Sequence, residues 1–392
     1  METGEFTTPC WSSKIGNRMK IAFCSDISQF HQDLLRDRAW SQNFLGSAWV
    51  TSLYERQTEL GIELASGDVA LQRVKSGQWR ADEVQVIQEM DARHGRELCR
   101  LGSVPSVLVM LESPLVAYRS VDHLMRSDVT FAHCVGPQAI FAHAQALRQS
   151  RHWRLSFPSY WRDQLPIPQP WAQRKHAVLV AANKYWRERK WAAARNANDA
   201  FRALKKTLRQ HFSATYQSCR LLQLHDARLD LLQVLGVHDK IEVFGRGWND
   251  TGNMPPHQAA RLAGIHSVFK GACDNKHELL SLYKFTIAFE NTAYPGYVTE
   301  KIIDAMVAAS VPLYLGAPDI VEQVPTEAFV NVRAFRSVDT LAEYMEQMTD
   351  TEATAIIDAG QTFLRSSFGQ RHTYEGFGEW IVSLVMGKEP DE

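Results

Sequence analysis

The stretch KFTIAFENTAYPGYVTEKIIDAMVAASVPLYLG, Lys284 to Gly316, decides how the chain is read. Its first part, KFTIAF, is a short apolar run suited to a strand buried on both faces. Its third part, EKIIDAMVAAS, has helical apolar spacing, and VPLYLG is a second buried strand. Strand, helix and strand in that order make a parallel βαβ unit. Between the first strand and the helix lie Glu290, Asn291, Tyr294, Pro295, Gly296, Tyr297 and Thr299. Loops at the carboxyl ends of parallel strands are where such sheets bind ligands.

Outward from this unit the same alternation continues. HAVLVAAN and KIEVFG read as strands, ARLDLLQVLG and HELLSLYK as helices, and FVNV as a further strand. A doubly wound nucleotide-binding domain over 175–392 is expected. The first half alternates less clearly. It offers a strand at MKIAF, a helix at WVTSLYERQTEL, a polar region at 82–100 and a buried strand at VPSVLVMLESP that ends at Glu112. A short strand, DVTFAH, and a helix, QAIFAHAQALRQ, complete it. This gives a second α/β domain over 1–165. Prolines 158, 166, 168 and 170 in SFPSYWRDQLPIPQPWAQRKH mark the boundary, because proline breaks helix and ladder alike.

Composition narrows the class. The 392 residues are 45% hydrophobic and 22% charged, with a formal net charge of −1, which gives no reason to expect nucleic acid as a partner. No apolar run is long enough to span a membrane. Residues 1–18 carry no signal pattern, and a second start at Met19 would make them a disordered tail or a translation artefact. Six scattered cysteines form no CxxC pair, so a reducing cytoplasm is the expected location. The segment 184–212 is unusual, with nine Lys and Arg against two Asp and Glu. It reads as one or two helices. Its face is either simply solvated or a basic surface for a phosphorylated glycolipid or a peripheral membrane contact.

The loop chemistry admits two readings. Gly296 permits a tight turn, Thr299 could cap the helix, and a helix N-terminus with Lys301 beside it suits a phosphate. Glu300 would repel an anion but accepts hydrogen bonds from hydroxyls. The residues fit a ligand that is part sugar and part phosphate. They equally fit a capped helix whose glutamate complements the dipole.

The residue identities add a resemblance. FENTAYPGYVTEKIIDAMVAASVPLYLGAPDI closely resembles the signature of the α-1,3-fucosyltransferases. The likeness extends to AFVNV (328–332), DKIEVFGRGW and YKFTIAF. It implies a GT-B fold, two Rossmann-like domains facing each other across a cleft. It also implies a GDP-fucose donor and inverting transfer to an N-acetylglucosamine or N-acetyllactosamine type acceptor, free, lipid-linked or on lipopolysaccharide. By the same resemblance Asn183, Arg228, Asn291, Tyr297, Glu300 and Lys301 bind the donor. Arg228 would grip the diphosphate in bidentate fashion. The family's serine before Asn183 is replaced by Ala182, and the 184–212 insertion separates Asn183 from Arg228. Glu112, in a Glu-Ser-Pro like that of the family's acceptor domain, would be the general base. A surface salt bridge is its alternative role. No Asp-x-Asp follows an apolar run, so no divalent metal or other cofactor is expected. A glycosyltransferase of the same fold using another sugar nucleotide or acceptor, and a non-catalytic sugar-nucleotide or glycan-binding protein, are the rival functions.

Overall fold

The computed structural model describes residues 18–41, 45–183, 197–248 and 256–388. The expected tail and the first part of the basic insertion, 184–196, lie outside the described residues.

Two six-stranded sheets, parallel throughout, form the molecule. The first contains β1 (Met19–Cys24), β2 (Ile62–Ser66), β3 (Val84–Glu89), β4 (Val104–Val109), β5 (His133–Val135) and β6 (Arg151–Trp153). Their order is β2-β1-β3-β4-β5-β6. The second contains β7 (Lys175–Val180), β8 (Ile241–Phe244), β9 (Phe269–Gly271), β10 (Tyr283–Phe289), β11 (Val311–Leu315) and β12 (Val330–Asn331), ordered β12-β11-β10-β7-β8-β9. The strand order reverses between β1 and β3 in one sheet and between β7 and β10 in the other. Crevices open at such switch points, outside the strands' carboxyl ends.

β10 holds the centre of the second sheet because it is apolar on both faces. Phe285, Ile287, Ala288 and Phe289 are all buried, and the strand pairs β11 on one side and β7 on the other. The signature helix, Glu300–Val307, follows β10 and packs Ile302, Ile303 and Met306 beneath it.

Several elements differ from expectation. β3 crosses the region 82–100 that reads as polar, and DVTFAH contributes only His133 to a strand, β5. β4 stops at Val109, so Glu112 stands three residues beyond it, in the loop. The division at 165–175 is crossed by the end of the chain. Helix Tyr374–Val385 packs Phe377, Trp380 and Ile381 against Trp49 and Leu53 in the first domain's core. Its apolar faces match that core, and the chain returns beside the linker through Tyr374 N donating to Tyr160 O (2.9 Å) and Ser159 N to His372 O (2.8 Å).

Candidate active site

The signature loop is organised by Glu290, which is completely buried at the end of β10. Its carboxylate accepts from Thr299 N (2.7 Å), from Thr299 Oγ1 (2.7 Å) and from Lys301 Nζ (3.1 Å). Thr299 occupies the N-cap position but does not cap the helix with its own side chain. Glu290 therefore engages the N–H and the hydroxyl of the threonine that the sequence predicted to cap the helix. Gly296 turns the chain with φ of +72°, a conformation that costs a residue with a Cβ, and its N–H donates to Asp319 Oδ1 at 2.8 Å.

Lys301 also donates to Thr299 Oγ1 (2.8 Å) and to Glu300 Oε1 (3.1 Å). Burial works against ionising Glu300, yet Lys301 and Lys276 outweigh it and bring its pKa down to about 2. Lys301 is correspondingly held protonated. Its own burial is overcome by Glu290 and Glu300. One turn further on, buried Asp304 accepts from Lys276 Nζ, His277 Nε2 and the linker's Ser159 Oγ. The signature helix is thus tied to the linker that joins the domains.

Across the cleft stands the loop after β4. Glu112 Oε1 accepts from Ser113 N (2.9 Å) and lies 3.5 Å from the Tyr297 hydroxyl. Burial, reinforced by Glu112, Glu290 and Glu300, pushes the Tyr297 phenol far up. It stays protonated and can donate. A second link joins the same loops, with Ser113 Oγ and Thr292 Oγ1 3.2 Å apart.

Between these groups lies a cleft of about 500 Å³ at the β7/β10 switch point. Ala181, Gly245, Arg246 and Lys276 line it together with Asn291, Tyr297, Glu300 and Lys301 of the signature and with Glu112 from the other domain. Gly245 is required there, since a Cβ would come within 2.2 Å of Ala181 O. A second cavity of about 580 Å³ adjoins through Phe157, Lys276 and Glu300.

Five of the seven residues singled out in the sequence meet in this cleft: Glu112, Asn291, Tyr297, Glu300 and Lys301. The other two stand one layer behind. Arg228 is buried, and its Nη2 donates to Phe289 O and to Asn291 Oδ1 (3.3 Å). Asn183 donates from Nδ2 to Gly247 O at 3.2 Å, bracing the β8 turn. Here Arg228 orients Asn291, whereas a direct bidentate grip was expected.

Three groups were missed. Arg246 lies within the quoted DKIEVFGRGW. Lys276 opens a short helix capped by Asn275, whose Oδ1 accepts from Glu278 N. Glu89, at the end of β3, is buried; Ser25 bonds its carboxyl, while Oε2 has no partner. Burial, opposed by Ser25 and reinforced by Glu112, pushes its pKa up to about 7. Among the described residues no group of three or more His, Cys, Asp or Glu is placed to hold a metal ion.

Comparison with known proteins bears on this half of the chain most directly. Residues 205–355 match the family described as glycosyltransferase family 10 (fucosyltransferase) C-term. An α-(1,3)-fucosyltransferase of Helicobacter pylori is 43% identical over 84 residues, 21% of this chain and 17% of that protein. An α-(1,4)-fucosyltransferase of Arabidopsis thaliana is 40% identical over 109 residues, 27% of each chain. Both matches cover less than a third of the relative's length. Among solved structures, Anabaena HepE in complex with UDP-glucose superimposes with a TM-score of 0.52 at 12% identity, over 94% of this chain and 100% of that one. That likeness shows the fold, two Rossmann-like domains in the GT-B arrangement. The signature, its switch-point cleft and the family match agree in one respect: residues 205–355 are similar to the C-terminal domain of glycosyltransferase family 10 (fucosyltransferase).

Proposed function

We propose that the protein transfers L-fucose from GDP-fucose to a hydroxyl of an N-acetylglucosamine or N-acetyllactosamine type glycan, forming an α-1,3 linkage with inversion. The observation that carries this reading is Glu112 Oε1 facing the Tyr297 hydroxyl at 3.5 Å across the cleft. One domain offers a carboxylate base to the residues with which the other would hold a sugar nucleotide.

In this mechanism Glu112 takes the proton of the acceptor hydroxyl as that oxygen attacks C1 of fucose. The bond from C1 to the diphosphate oxygen breaks on the opposite face, and its electron pair leaves with GDP. Negative charge grows on the diphosphate as the bond breaks. Lys276, Arg246 and Lys301, which line the cleft, would supply fixed positive charge to it. Glu300, ionised, accepts from sugar hydroxyls, and Arg228 keeps Asn291 aimed into the cleft. With these cations in place the reaction is proposed to need no divalent metal. HepE's UDP-glucose, bound to a protein of the same fold, keeps another sugar nucleotide as the second reading.

The test is GDP release from GDP-fucose with EDTA present, with and without N-acetyllactosamine. Acceptor-dependent release is the expected result. Release with UDP-glucose and none with GDP-fucose would overturn the donor, and loss of all release on adding EDTA would overturn metal independence.

A further inference from the structure

The helix Ala197–Phe212 takes no part in the cleft. Phe201, Leu204, Leu208 and Phe212 follow at intervals of three, four and four, which sets them in one stripe along a helix. All four are exposed, Phe201 by 65% and Phe212 by 80%. A helix of a globular protein ordinarily buries such a stripe against its neighbours, and here no described residue covers it. Arg202, Lys205 and Arg209, also exposed, run along one flank of the stripe, and the helix carries a single acid, Asp199.

An exposed apolar stripe beside a cationic flank is the pattern of a helix that lies in the plane of a membrane interface. Sixteen residues reach about 24 Å. Among the described residues no helix is long and apolar enough to cross a membrane, so this one could only lie on it. We infer that the helix Ala197–Phe212 seats the protein on an anionic lipid surface, its four apolar side chains entering the headgroup region and its basic flank meeting the lipid phosphates.

Charge decides between this occupant and a second copy of the chain. Two copies paired stripe to stripe would bring like-charged flanks together, which costs free energy. Four side chains also fall well short of the ~800 Å² per partner of a stable interface. An anionic bilayer satisfies both the stripe and the flank.

The helix is placed to matter for the cleft. Its Gln210 O accepts from Gln217 Nε2 (3.0 Å) of the next helix, Ala214–Cys219. That helix meets the one following the Glu112 loop, Tyr118–Leu124, through Thr215 Oγ1 donating to Asp122 Oδ1 (2.8 Å) and the Tyr118–Tyr216 ring contact. A docked bilayer would thereby be linked, through two helices, to the element that follows the Glu112 loop. That this serves a lipid-linked acceptor rests on the proposed transfer reaction, whereas the docking does not.

Flotation of the full chain with phosphatidylcholine vesicles, with and without phosphatidylglycerol, tests it. Binding should require phosphatidylglycerol and weaken as salt is raised. Phe201→Ser/Leu208→Ser and Arg202→Glu/Lys205→Glu should each lower binding by about tenfold or more, with melting temperatures unchanged because all four residues are exposed. Absence of binding at low salt, equal binding to neutral vesicles, or unchanged binding by both variants would overturn the inference. So would a dimer in sedimentation that Phe201→Ser/Leu208→Ser converts to monomer. None of these readouts uses fucose transfer, so failure of the proposed reaction would leave them standing.

Discussion

Glu300 and Glu89 belong to opposite domains, and their pKa values move in opposite directions, down to about 2 and up to about 7. The difference is one of company. In the donor half each carboxylate at the cleft has a cation: Glu290 and Glu300 share Lys301, and Asp304 holds Lys276. In the acceptor half no ion pair to Glu112 or Glu89 is found among the described residues. One half has its charges neutralised before any ligand arrives, as suits fixed recognition of a charged donor. The other leaves Glu112 without a cationic partner among the described residues, as would suit the proposed base.

Breaking the acceptor side at Glu112 should have the largest effect. Glu112→Gln is expected to lower kcat by about 10²–10⁴-fold, the usual contribution of a general base, while calorimetry finds GDP-fucose affinity nearly unchanged. Lost donor affinity would instead move Glu112 to the donor's side. Breaking the donor side at Asp304 comes next. Asp304→Ala takes a buried carboxylate from half-buried Lys276, from His277 and from Ser159, and urea unfolding should report a loss of about 3 kcal/mol, the worth of a hydrogen-bonded charged group. A variant as stable as the parent would mean that Glu300 takes over the lysine.

Glu89 sharpens the comparison through pH. Its folded pKa, about 7, lies above the ordinary 4.5, so the folded state holds a proton that the unfolded state has released. Its contribution is complete below pH 4.5 and is lost as pH rises through about 7, a change of about 3 kcal/mol. Glu89→Gln should therefore gain stability over the parent at pH 8 and not at pH 4.5. A constant difference at both pH values would show that Glu89 does not titrate in that range. The smallest effect is expected at Lys276→Met, which should weaken GDP binding by about tenfold, the worth of one charge-assisted hydrogen bond. Unchanged affinity would remove Lys276 from the diphosphate's surroundings.

The donor half was legible because its strands are continuous apolar runs and its loop carries a dense signature. Phe285–Phe289 can only be a strand buried on both faces, and Glu290 to Lys301 must then stand at its carboxyl end. What stayed hidden is instructive. β3 ends in Gln88 and Glu89, two polar residues that are nevertheless buried, so its segment reads as surface. Lys276 sits in an ordinary helix start and gains meaning only from its spatial neighbours Asp304 and Glu300. Arg228 is a helix arginine whose burial no local pattern predicts. In the basic insertion the stripe of Phe201, Leu204, Leu208 and Phe212 is diluted by nine basic residues, so its segment reads as a charged face.

The return of Tyr374–Val385 to the first domain bears on how the chain is made. Trp49 and Phe377 meet edge to face with ring centroids 5.2 Å apart, though more than three hundred residues separate them in sequence. The core around Trp49 lacks this wall until the helix Tyr374–Val385 has left the ribosome. Synthesis from the amino terminus ordinarily lets the first domain fold first. Here the core around Trp49 must wait for a segment made more than three hundred residues later, and closing so long a loop is slow. The exposed surface of Trp49 and Leu53 in that interval is where a chaperone would find the nascent chain.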